Sequence, residues 1–502
     1  MKTQTAKLET VRVTDDVQYA NEQLEKFGIK PRALKVVDNE IMNADTYKIG
    51  HWMFQEDNTS YSTSYVEARQ GAEFDEIVFF GLQYILLTGF MKRVTEEMYE
   101  QAQEILSKHV GEGFMNAEGW RAIIDDHDGF LPIRIKAVPE GTVTPTGVAL
   151  IVVESTDPRF NASWAASFIE TKLMRIWYTT TIATLSREMK KILFEALLKT
   201  GDPATVMQKL IDFGSRGVTC KEQSMVGGAA HLVNFDGTDN LLGNAMLMDF
   251  YMRGDEDWLP AYSIPATEHS VTTAWGKLRE FFFFNKIVNE VLPKFGICSV
   301  VLDTYSTRGA IKMLGKLRKK IEENGVIVFR PDSGDPVEMT ELVVRLLDEE
   351  FGSTVNEKGY KVLNPCARII QGDGIDLATL KAILDNFEKI GYSADNIVFG
   401  SGGGLLQKVT RDTNRFAMKA SHVIVDGEGR DIYKAPETDP TKASKKGILD
   451  TVRNVKTGEV RTINQYQMMD EDEVSLLETV YENGQLVRWQ SLAEIRELAK
   501  VA

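Results

Sequence analysis

Reactive side chains stand at the ends of successive short apolar segments between residues 208 and 425. They are Arg216, Asp239, His269, Asp303, Arg330, Asp332 and Asp373, followed by the glycines Gly402–Gly404. Any one of them could be a helix cap or half of a surface ion pair. As a set they suit an anionic ligand, because cations bind phosphate oxygens and carboxylates accept ribose hydroxyls or a magnesium ion. The pattern predicts a site for a sugar phosphate that carries a pyrophosphate.

The segment NIVFGSGGGLLQKVTRD (396–412) contains the strongest local signal for phosphate. An apolar strand runs into SGGG and then into a helical pattern, so free backbone N–H groups and a helix N-terminus meet at one point. A tight turn is the alternative interpretation, but three consecutive glycines exceed what a turn needs. The P-loop signature is absent. The segment therefore predicts a phosphate site of the kind found late in barrel folds.

Two further motifs, RPDSGDP (330–336) and IIQGDGID (369–376), place a cation and carboxylates at other strand ends. The six histidines form no HxxxH or HExxH pair, so a zinc site is not predicted. His269 is the one histidine at a predicted strand end. By itself such a residue is more often a hydrogen-bonding partner than a catalyst.

Eight strand-like segments, most of them followed by helical patterns, must position these side chains. In order they are KLIDFGSRG, HLVNFDGTD, AYSIPATEH, SVVLDTYS, VIVFRPDSG, RIIQGDGID, NIVFGSGGG and AMKASHVIV. Strand–helix alternation predicts parallel strands with right-handed crossovers. Eight units predict a (β/α)8 barrel with its functional side chains at one end, although the second and eighth units are the least regular.

The predicted fold class is α/β, with an irregular (β/α)8 barrel over residues 166–425. A second, α+β domain is predicted from residues 41–165 together with 426–502, because both segments mix short strands, turns and helices. Residues 1–40 are polar and mixed in charge, and we expect a partly ordered arm there.

Composition narrows the function classes. The 502 residues carry 58 Lys+Arg against 73 Asp+Glu, a formal net charge of −15, and 43% are hydrophobic. Disorder and fibrous repeats are excluded by that hydrophobic content, and the acidic balance argues against a nucleic-acid partner. Three separated cysteines, no secretory signal and no apolar run near the roughly 20 residues that span a bilayer predict a cytoplasmic protein without a membrane partner.

A series of motifs in order along the chain resembles the nicotinamide phosphoribosyltransferases, in the type II phosphoribosyltransferase family. They include ADTYKIGH (44–51), FFGLQYIL (79–86), LPIRIKAVPEG (131–141), DFGSRGV (212–218), HLVNFDGTD (231–239), ATEHSVTTAWGK (266–277), FGSGGGLLQKVTRD (399–412) and SKKG (444–447). The resemblance runs from about residue 44 to 495. It implies that the protein converts phosphoribosyl pyrophosphate and nicotinamide into nicotinamide mononucleotide and pyrophosphate. It also implies Mg2+, a homodimer with active sites at the interface, and stimulation by ATP through a phosphohistidine at His269.

The resemblance also implies residue roles at the pyridine and ribose. Phe213 would stack on one face of the nicotinamide ring and Tyr47 of the partner subunit on the other, while Asp239 would accept a hydrogen bond from the amide. The catalytic set would be His269, Asp303 and Asp332. Substrate contacts would come from Tyr47, Phe213, Asp239, Arg330, Asp332, Gly372, Asp373, Gly402, Gly403 and Arg411.

The same resemblance implies a second set of contacts at the pyrophosphate, namely Arg69, Arg216, His269, Arg330, Lys419 and Lys442. Of these, Arg69, Lys419 and Lys442 would come from the partner subunit, as would Arg411 at the 5′-phosphate. Mg2+ would be held mainly through the pyrophosphate, with Asp303 or Asp332 as candidate ligands. The family often has an aromatic residue where this chain has Ser215, which leaves the detail of the pocket mouth open.

Three other functions are compatible with parts of the pattern. Nicotinate phosphoribosyltransferase shares the fold, the donor and the ATP coupling, and only the carboxylate of Asp239 favours the amide over the acid. An unrelated barrel enzyme, such as an aldolase, would need a Schiff-base lysine or metal ligands on a strand, and neither is evident. A non-catalytic signalling or ligand-sensing protein would not need so many charged strand ends.

Overall fold

The computed structural model describes residues 25–26, 35–159, 163–254, 258–438 and 443–501. Most of the predicted N-terminal arm, together with Lys442, lies outside the described residues. Within the described ranges, no helix is long and apolar enough to cross a membrane. A cytoplasmic location stays a prediction.

Six parallel strands form the inner sheet of the barrel. In spatial order they are Gly237–Thr238, Leu210–Asp212, Ile397–Ser401, Ala367–Gln371, Val326–Arg330 and Ile297–Val301. Their sequences are nearly continuous apolar runs such as VIVFR and ICSVV, as expected for parallel strands that are covered on both faces. Each strand ends at the same edge, so the residues that follow the strands converge there.

An irregular segment closes the two free edges of this sheet. Tyr262 makes a parallel bridge to Gly237, and Ala266 makes one to Ser299. The amide of Thr238 donates to the carbonyl of Tyr262 at 3.0 Å, and the amide of Ser299 donates to the carbonyl of Pro265 at 2.8 Å. The segment predicted as the third unit thus joins the first and last strands without forming a regular strand itself.

Helices cover the outside of the barrel. Asp335 and Asp376 start two of them, because each carboxylate accepts hydrogen bonds from backbone N–H groups of the first turn. The α-helices of this part of the chain, including the two that begin at the strand ends with His269 and Gly403, are Ile176–Thr200, Lys221–His231, Leu241–Tyr251, His269–Trp275, Glu280–Lys286, Leu292–Phe295, Thr307–Gly315, Arg318–Asn324, Pro336–Phe351, Leu377–Lys389 and Gly403–Leu406.

The prediction that AMKASHVIV forms the eighth barrel unit was wrong. Phe416–Val425 pairs antiparallel with Thr59–Ala68, and a turn leads it into Glu428–Asp431 instead of into a helix. Four of its ten residues are partly or fully exposed, which suits an antiparallel sheet with one partly solvated face. An apolar run before a polar turn is common to both kinds of strand, so the sequence pattern did not separate them.

That strand belongs to a seven-stranded antiparallel sheet built from both ends of the chain. The order is Glu428–Asp431, Phe416–Val425, Thr59–Ala68, Ile151–Ser155, Ile133–Ala137, Glu478–Glu482 and Gln485–Leu486. Smaller sheets pair Glu76–Val78 with Val143–Pro145, Ser353–Val355 with Lys361–Leu363, and Leu449–Asn454 with Val460–Asn464 and Glu473–Ser475. The remaining helices are Thr46–Ile49, Leu82–Ile85, Glu96–His109, Ala117–Asp126, Ala165–Phe168, Glu170–Leu173 and Leu492–Leu498.

The predicted α/β class, a barrel with a second α+β domain, is confirmed. One cluster of buried apolar side chains runs through both parts, from Ile133 and Val153 in the antiparallel sheet to Leu210 and Leu314 in the barrel. The exact domain boundaries stay a prediction.

Candidate active site

Phe213 stands at the mouth of the barrel, directly after the strand Leu210–Asp212. Its amide donates to the carbonyl of Ser401 at 3.0 Å. A Cβ atom at Gly400 would lie 2.1 Å from the phenyl ring, and one at Gly372 would lie 3.1 Å from it. At Gly400 only a glycine leaves room for the ring, and at Gly372 a side chain would crowd it. The partly buried ring thereby offers an aromatic surface at the mouth, and its stacking on a pyridine stays a prediction.

Asp239 follows the neighbouring strand Gly237–Thr238 and is exposed at the same edge. Its amide donates to the carbonyl of Asp212 at 3.1 Å, and the hydroxyl of Ser263 donates to its carboxylate. A carboxylate in this position can accept a hydrogen bond from a ligand N–H group and repels a ligand of like charge.

Asp212, one residue before the ring, is fully buried. Burial raises the pKa of the Asp212 carboxyl to about 6, and the charge of Asp239 also raises it, while hydrogen bonds from Gly214 and Asn240 act against the shift. The predictions from sequence did not include Asp212 or Asn240. Asp212 does lie in the quoted DFGSRGV motif, and Asn240 directly follows HLVNFDGTD.

His269 lies between two carboxylates. Its Nε2 is 3.0 Å from Oδ1 of Asp303, and its Nδ1 is 3.5 Å from Oδ2 of Asp332. The other oxygen of Asp303 accepts from the amide of Asp332 at 3.1 Å and from the hydroxyl of Ser333. The Asp303 side chain is only 7% exposed, whereas that of His269 is 42% exposed. The pair of acids orients an imidazole that a ligand can reach.

Arg330 ends the strand Val326–Arg330 with its side chain 13% exposed. Its Nε is buried and has no hydrogen-bond partner among the described residues, and it lies 3.8 Å from Oδ1 of Asp332. On the next strand, Oε1 of Gln371 is also buried and unpartnered in the described chain, while its Nε2 donates to the carbonyl of Asp373 at 3.0 Å. A bound polar ligand or water can satisfy such buried groups.

The glycine loop lies beside these strands. The hydroxyl of Ser401 donates to the carbonyl of Ile375 at 2.8 Å, and a Cβ atom at Gly404 would lie 2.1 Å from that oxygen. The loop is therefore pressed against the neighbouring strand end. Gly402 and Gly403 remain partly exposed, and the short helix that begins at Gly403 leaves N–H groups of its first turn without helical acceptors.

The predicted partner contributions lie on other parts of the chain. Arg69 follows the strand Thr59–Ala68, its Nε donates to the carbonyl of Arg415 at 3.0 Å, and Lys419 lies on the adjacent strand. Burial, and then the charge of Arg69, lower the pKa of the Lys419 ammonium. Tyr47 is 58% exposed on Thr46–Ile49, and Arg411 is exposed after the glycine helix.

The structure therefore brings the predicted residues together in two groups. No hydrogen bond or ion pair of the described ranges joins Tyr47, Arg69, Arg411 or Lys419 to the side chains at the barrel mouth. Arg216 is exposed on the turn after Phe213. The placement agrees with a site that needs residues of a second subunit, which stays a prediction.

The acids of the site suit a metal ion held mainly by a ligand. The described residues contain no group of three or more His, Cys, Asp or Glu that could hold a metal. Both oxygens of Asp303 already accept hydrogen bonds, whereas Asp332 makes only the longer contacts to His269 and Arg330. Mg2+ commonly uses one or two carboxylates together with substrate phosphates, so Asp332 fits this role best.

Comparison with known proteins gives the family. Residues 208–485 match the model of the nicotinate phosphoribosyltransferase (NAPRTase) family, and residues 39–135 match the model of the nicotinamide phosphoribosyltransferase N-terminal domain. The chain is 44% identical over 477 residues to the nicotinamide phosphoribosyltransferase of Xanthomonas campestris pv. campestris, covering 93% of this chain and 99% of that one. The chain belongs to the nicotinamide phosphoribosyltransferase family. A further member, from Acinetobacter baylyi, is 32% identical over 501 residues, 91% of this chain and 96% of the relative.

Two solved structures share the fold of this chain although their sequence identity to it is low. The nicotinate-nucleotide pyrophosphorylase of Pyrococcus furiosus superposes with a TM-score of 0.59 at 17% identity, covering 94% of this chain and 97% of the other. Human nicotinic acid phosphoribosyltransferase superposes with a TM-score of 0.58 at 16% identity, covering 91% and 92%. The predicted family and architecture are confirmed.

Proposed function

We propose that this chain transfers the phosphoribosyl group of phosphoribosyl pyrophosphate to nicotinamide and releases nicotinamide mononucleotide and pyrophosphate. The observation that carries the proposal is the barrel mouth itself. An aromatic ring, Phe213, and an exposed carboxylate, Asp239, stand at one edge with the mostly buried side chain of Arg330, whose Nε has no hydrogen-bond partner among the described residues. Family membership supports the same reaction.

Recognition of the amide rests on Phe213 and Asp239. The pyridine ring stacks on Phe213, and Tyr47 of the partner subunit covers its other face, with about 0.5–1.5 kcal/mol for each aromatic contact beyond burial. The carboxylate of Asp239 accepts a hydrogen bond from the amide NH2 group. The same charge repels the carboxylate of nicotinate, so the amide is the preferred substrate.

Binding of the donor follows from the strand ends. Gly402 and Gly403 hold the 5′-phosphate together with Arg411 of the partner subunit, while Gly372 and Asp373 lie at the ribose. The cations Arg216 and Arg330, joined by Arg69, Lys419 and Lys442 of the partner subunit, surround the pyrophosphate. Preorganised cations lower the barrier because they meet the charge that develops on the leaving group.

In the reaction, the pyridine nitrogen forms a bond to the anomeric carbon while the bond from that carbon to the pyrophosphate oxygen breaks. The leaving pyrophosphate keeps the electron pair. Bound Mg2+ would neutralise charge on the pyrophosphate oxygens, with Asp332 as its candidate protein ligand. The protein contributes mainly by aligning the ring nitrogen behind the carbon, since positioning removes much of the entropic cost of a bimolecular step.

His269 couples ATP to this site in our proposal. An imidazole nitrogen attacks the γ-phosphorus of ATP, the bond to the β-phosphate oxygen breaks and ADP leaves; water later releases phosphate from the histidine. Asp303 and Asp332, one beside each ring nitrogen, orient the imidazole and stabilise its positive charge. The phosphorylated ring stands among the pyrophosphate contacts and thereby changes donor binding.

A substrate comparison tests the proposed function. The protein is incubated with phosphoribosyl pyrophosphate, Mg2+ and either nicotinamide or nicotinate, with and without ATP, and the nucleotide is identified by mass spectrometry. We expect nicotinamide mononucleotide as the main product. Nicotinate mononucleotide as the main product would favour the alternative, nicotinate phosphoribosyltransferase, whose family model matches residues 208–485. No nucleotide from either base would overturn both.

A further inference from the structure

A chain of hydrogen bonds runs from the pocket mouth into the barrel. The hydroxyl of Ser215 lies 2.8 Å from that of Ser224, which in turn donates to Oδ1 of Asn240 at 3.2 Å. Nδ2 of Asn240 donates to Oδ2 of Asp212 at 2.9 Å. The carboxylate can only accept, so Asn240 must turn its Nδ2 toward Asp212 and its Oδ1 toward Ser224. Ser224 then donates to Asn240, and Ser215 donates to Ser224. We call these four residues the Ser215–Asp212 chain.

Both ends of the chain lie beside groups that would touch the pyridine. Ser215 is on the turn between Phe213 and Arg216. At the other end, the second carboxylate oxygen of Asp212 accepts from the amide of Gly214 at 2.7 Å, and its backbone carbonyl accepts from the amide of Asp239. The chain therefore connects the stacking ring to the residue that would accept the amide hydrogen.

Asp212 has no ion-pair partner in the described part of the molecule, although its side chain is fully buried. Burying a carboxylate without a cation is costly unless hydrogen bonds satisfy it. Here the amides of Gly214 and Asn240 do so. Such an acid in the wall of a pocket suits a role in holding neighbouring groups in place.

Two glycines make the space for Asn240. A Cβ atom at Gly228 would lie 2.5 Å from Nδ2 of Asn240, and one at Gly243 would lie 2.7 Å from the carbonyl carbon of Gly228. The helices Lys221–His231 and Leu241–Tyr251 thus meet backbone to backbone beside the asparagine. Asn240 also caps the second helix, since its Oδ1 accepts from Leu242 N at 3.2 Å.

We propose that Ser215, Ser224, Asn240 and Asp212 are positioning residues that set the distance and orientation between Phe213 and Asp239, and so determine affinity for the pyridine substrate. The inference rests on the proposed function, because it assumes that these two residues bind the pyridine. None of the four needs to touch the phosphoribosyl donor. Loosening the chain therefore weakens binding of the base far more than binding of the donor or the chemical step.

Two substitutions open the chain at different points. Asn240→Ser keeps a helix-capping hydroxyl but removes the amide that holds Asp212, and Ser224→Ala removes the hydroxyl in the middle. For each we expect KM for nicotinamide to rise about three- to tenfold, as for the loss of one or two hydrogen bonds, with kcat and KM for phosphoribosyl pyrophosphate within about twofold of wild type. The double variant should be no worse than the worse single variant.

Ser186→Ala is the matched control. Ser186 is also a buried serine, and it bonds His231 at the far end of the helix that carries Ser224, outside the chain. It should lower Tm while leaving the KM values unchanged. If Asn240→Ser does not fold, Ser215→Ala at the exposed end provides the same KM measurement.

The outcomes are separable. An unchanged KM for nicotinamide in folded variants of an active enzyme overturns the inference but leaves the proposed function standing. A fall in kcat without a change in KM, or strictly additive effects in the double variant, also overturns it. A wild-type protein that makes no nicotinamide mononucleotide overturns the proposed function itself.

Discussion

His269 shows how a single residue gains a role from its neighbours. A histidine at a strand end is unremarkable by itself, yet here each ring nitrogen faces a carboxylate and the imidazole remains reachable from solvent. Asp303 is held in place by the backbone and hydroxyl groups that follow Arg330. The ring is therefore oriented before any ligand arrives, which favours a nucleophile or a proton carrier.

Replacing that ring tests the ATP coupling. We expect His269→Ala to lose stimulation by ATP while keeping a basal rate with nicotinamide, because the proposed phosphoryl acceptor is gone but the pyridine pocket is intact. Initial rates with and without ATP measure the effect. The control is His127→Ala, since His127 pairs with Asp157 outside the barrel mouth. Full stimulation in His269→Ala would exclude the histidine as acceptor.

Asp239 offers a second test at the scale of one residue. In Asp239→Asn the repulsion of a substrate carboxylate disappears, so the ratio of kcat/KM for nicotinamide over nicotinate should fall about 10- to 100-fold. Asp249→Asn removes the same charge from an exposed position on the next helix and should leave the ratio unchanged. An unaltered ratio in Asp239→Asn would mean that another group selects the base.

At the scale of elements, the helix Lys221–His231 ties the site to the core. Ser224 in its first half belongs to the Ser215–Asp212 chain, and its last residue, His231, is fully buried. Nδ1 of His231 lies 2.9 Å from the hydroxyl of Ser186, Nε2 lies 3.2 Å from the carbonyl of Leu210, and the ring stacks on Phe235. In the neutral form both nitrogens are satisfied, since Nε2–H can donate to the carbonyl and Nδ1 can accept from the hydroxyl.

His231 should make stability depend on pH. Burial lowers the pKa of its imidazole from 6.5 to about 4, so between these values the unfolded chain binds more protons than the folded one. Its contribution is complete above pH 6.5 and is lost as the pH falls toward 4, by up to about 3 kcal/mol. His231→Gln should be less stable at pH 7 but have a flatter Tm–pH curve across this window. Parallel curves for the two proteins would contradict the assignment.

At the scale of the whole molecule, the proposed site residues of one chain fall into two separate groups. The barrel mouth carries Phe213, Asp239, His269 and Arg330, whereas Arg69 and Lys419 stand together on the antiparallel sheet. In a symmetric dimer the sheet of one subunit can complete the barrel of the other, and the same contact occurs twice. Under this proposal, the net charge of −15 describes the exterior, and the cations of the two groups would meet between subunits.

Mixed dimers test this arrangement. Arg330→Ala disables the barrel half and Lys419→Ala the sheet half, so each homodimer should be strongly impaired. In a mixed dimer one site has both defects and the other has none. When equal amounts of the two variants assort at random, about half of the dimers are mixed, and each mixed dimer has one intact site of its two. The mixture should therefore recover about a quarter of wild-type activity. Recovery is measured after co-expression with two different tags; no recovery in purified mixed dimers would place both residues in one subunit's site.

The sequence by itself determined much of the barrel mouth. Parallel strands end at one edge, so a reactive residue after each apolar run was enough to predict that Asp239, His269, Arg330 and the glycine loop converge. Motif resemblance supplied the family, which is confirmed. These features depend on local order along the chain, and local order is what a sequence records directly.

Only the tertiary structure decided which distant residues meet. In the structure, Phe416–Val425 belongs to the antiparallel sheet and not to the barrel as predicted. The bridges of Tyr262 and Ala266 close the barrel. The tertiary structure also joined Ser224 to Asn240 and pressed Phe213 against Gly400. The physical reason is that strand pairing and side-chain contact depend on the shape of surfaces far apart in sequence, whereas periodicity reports only whether each segment can be buried.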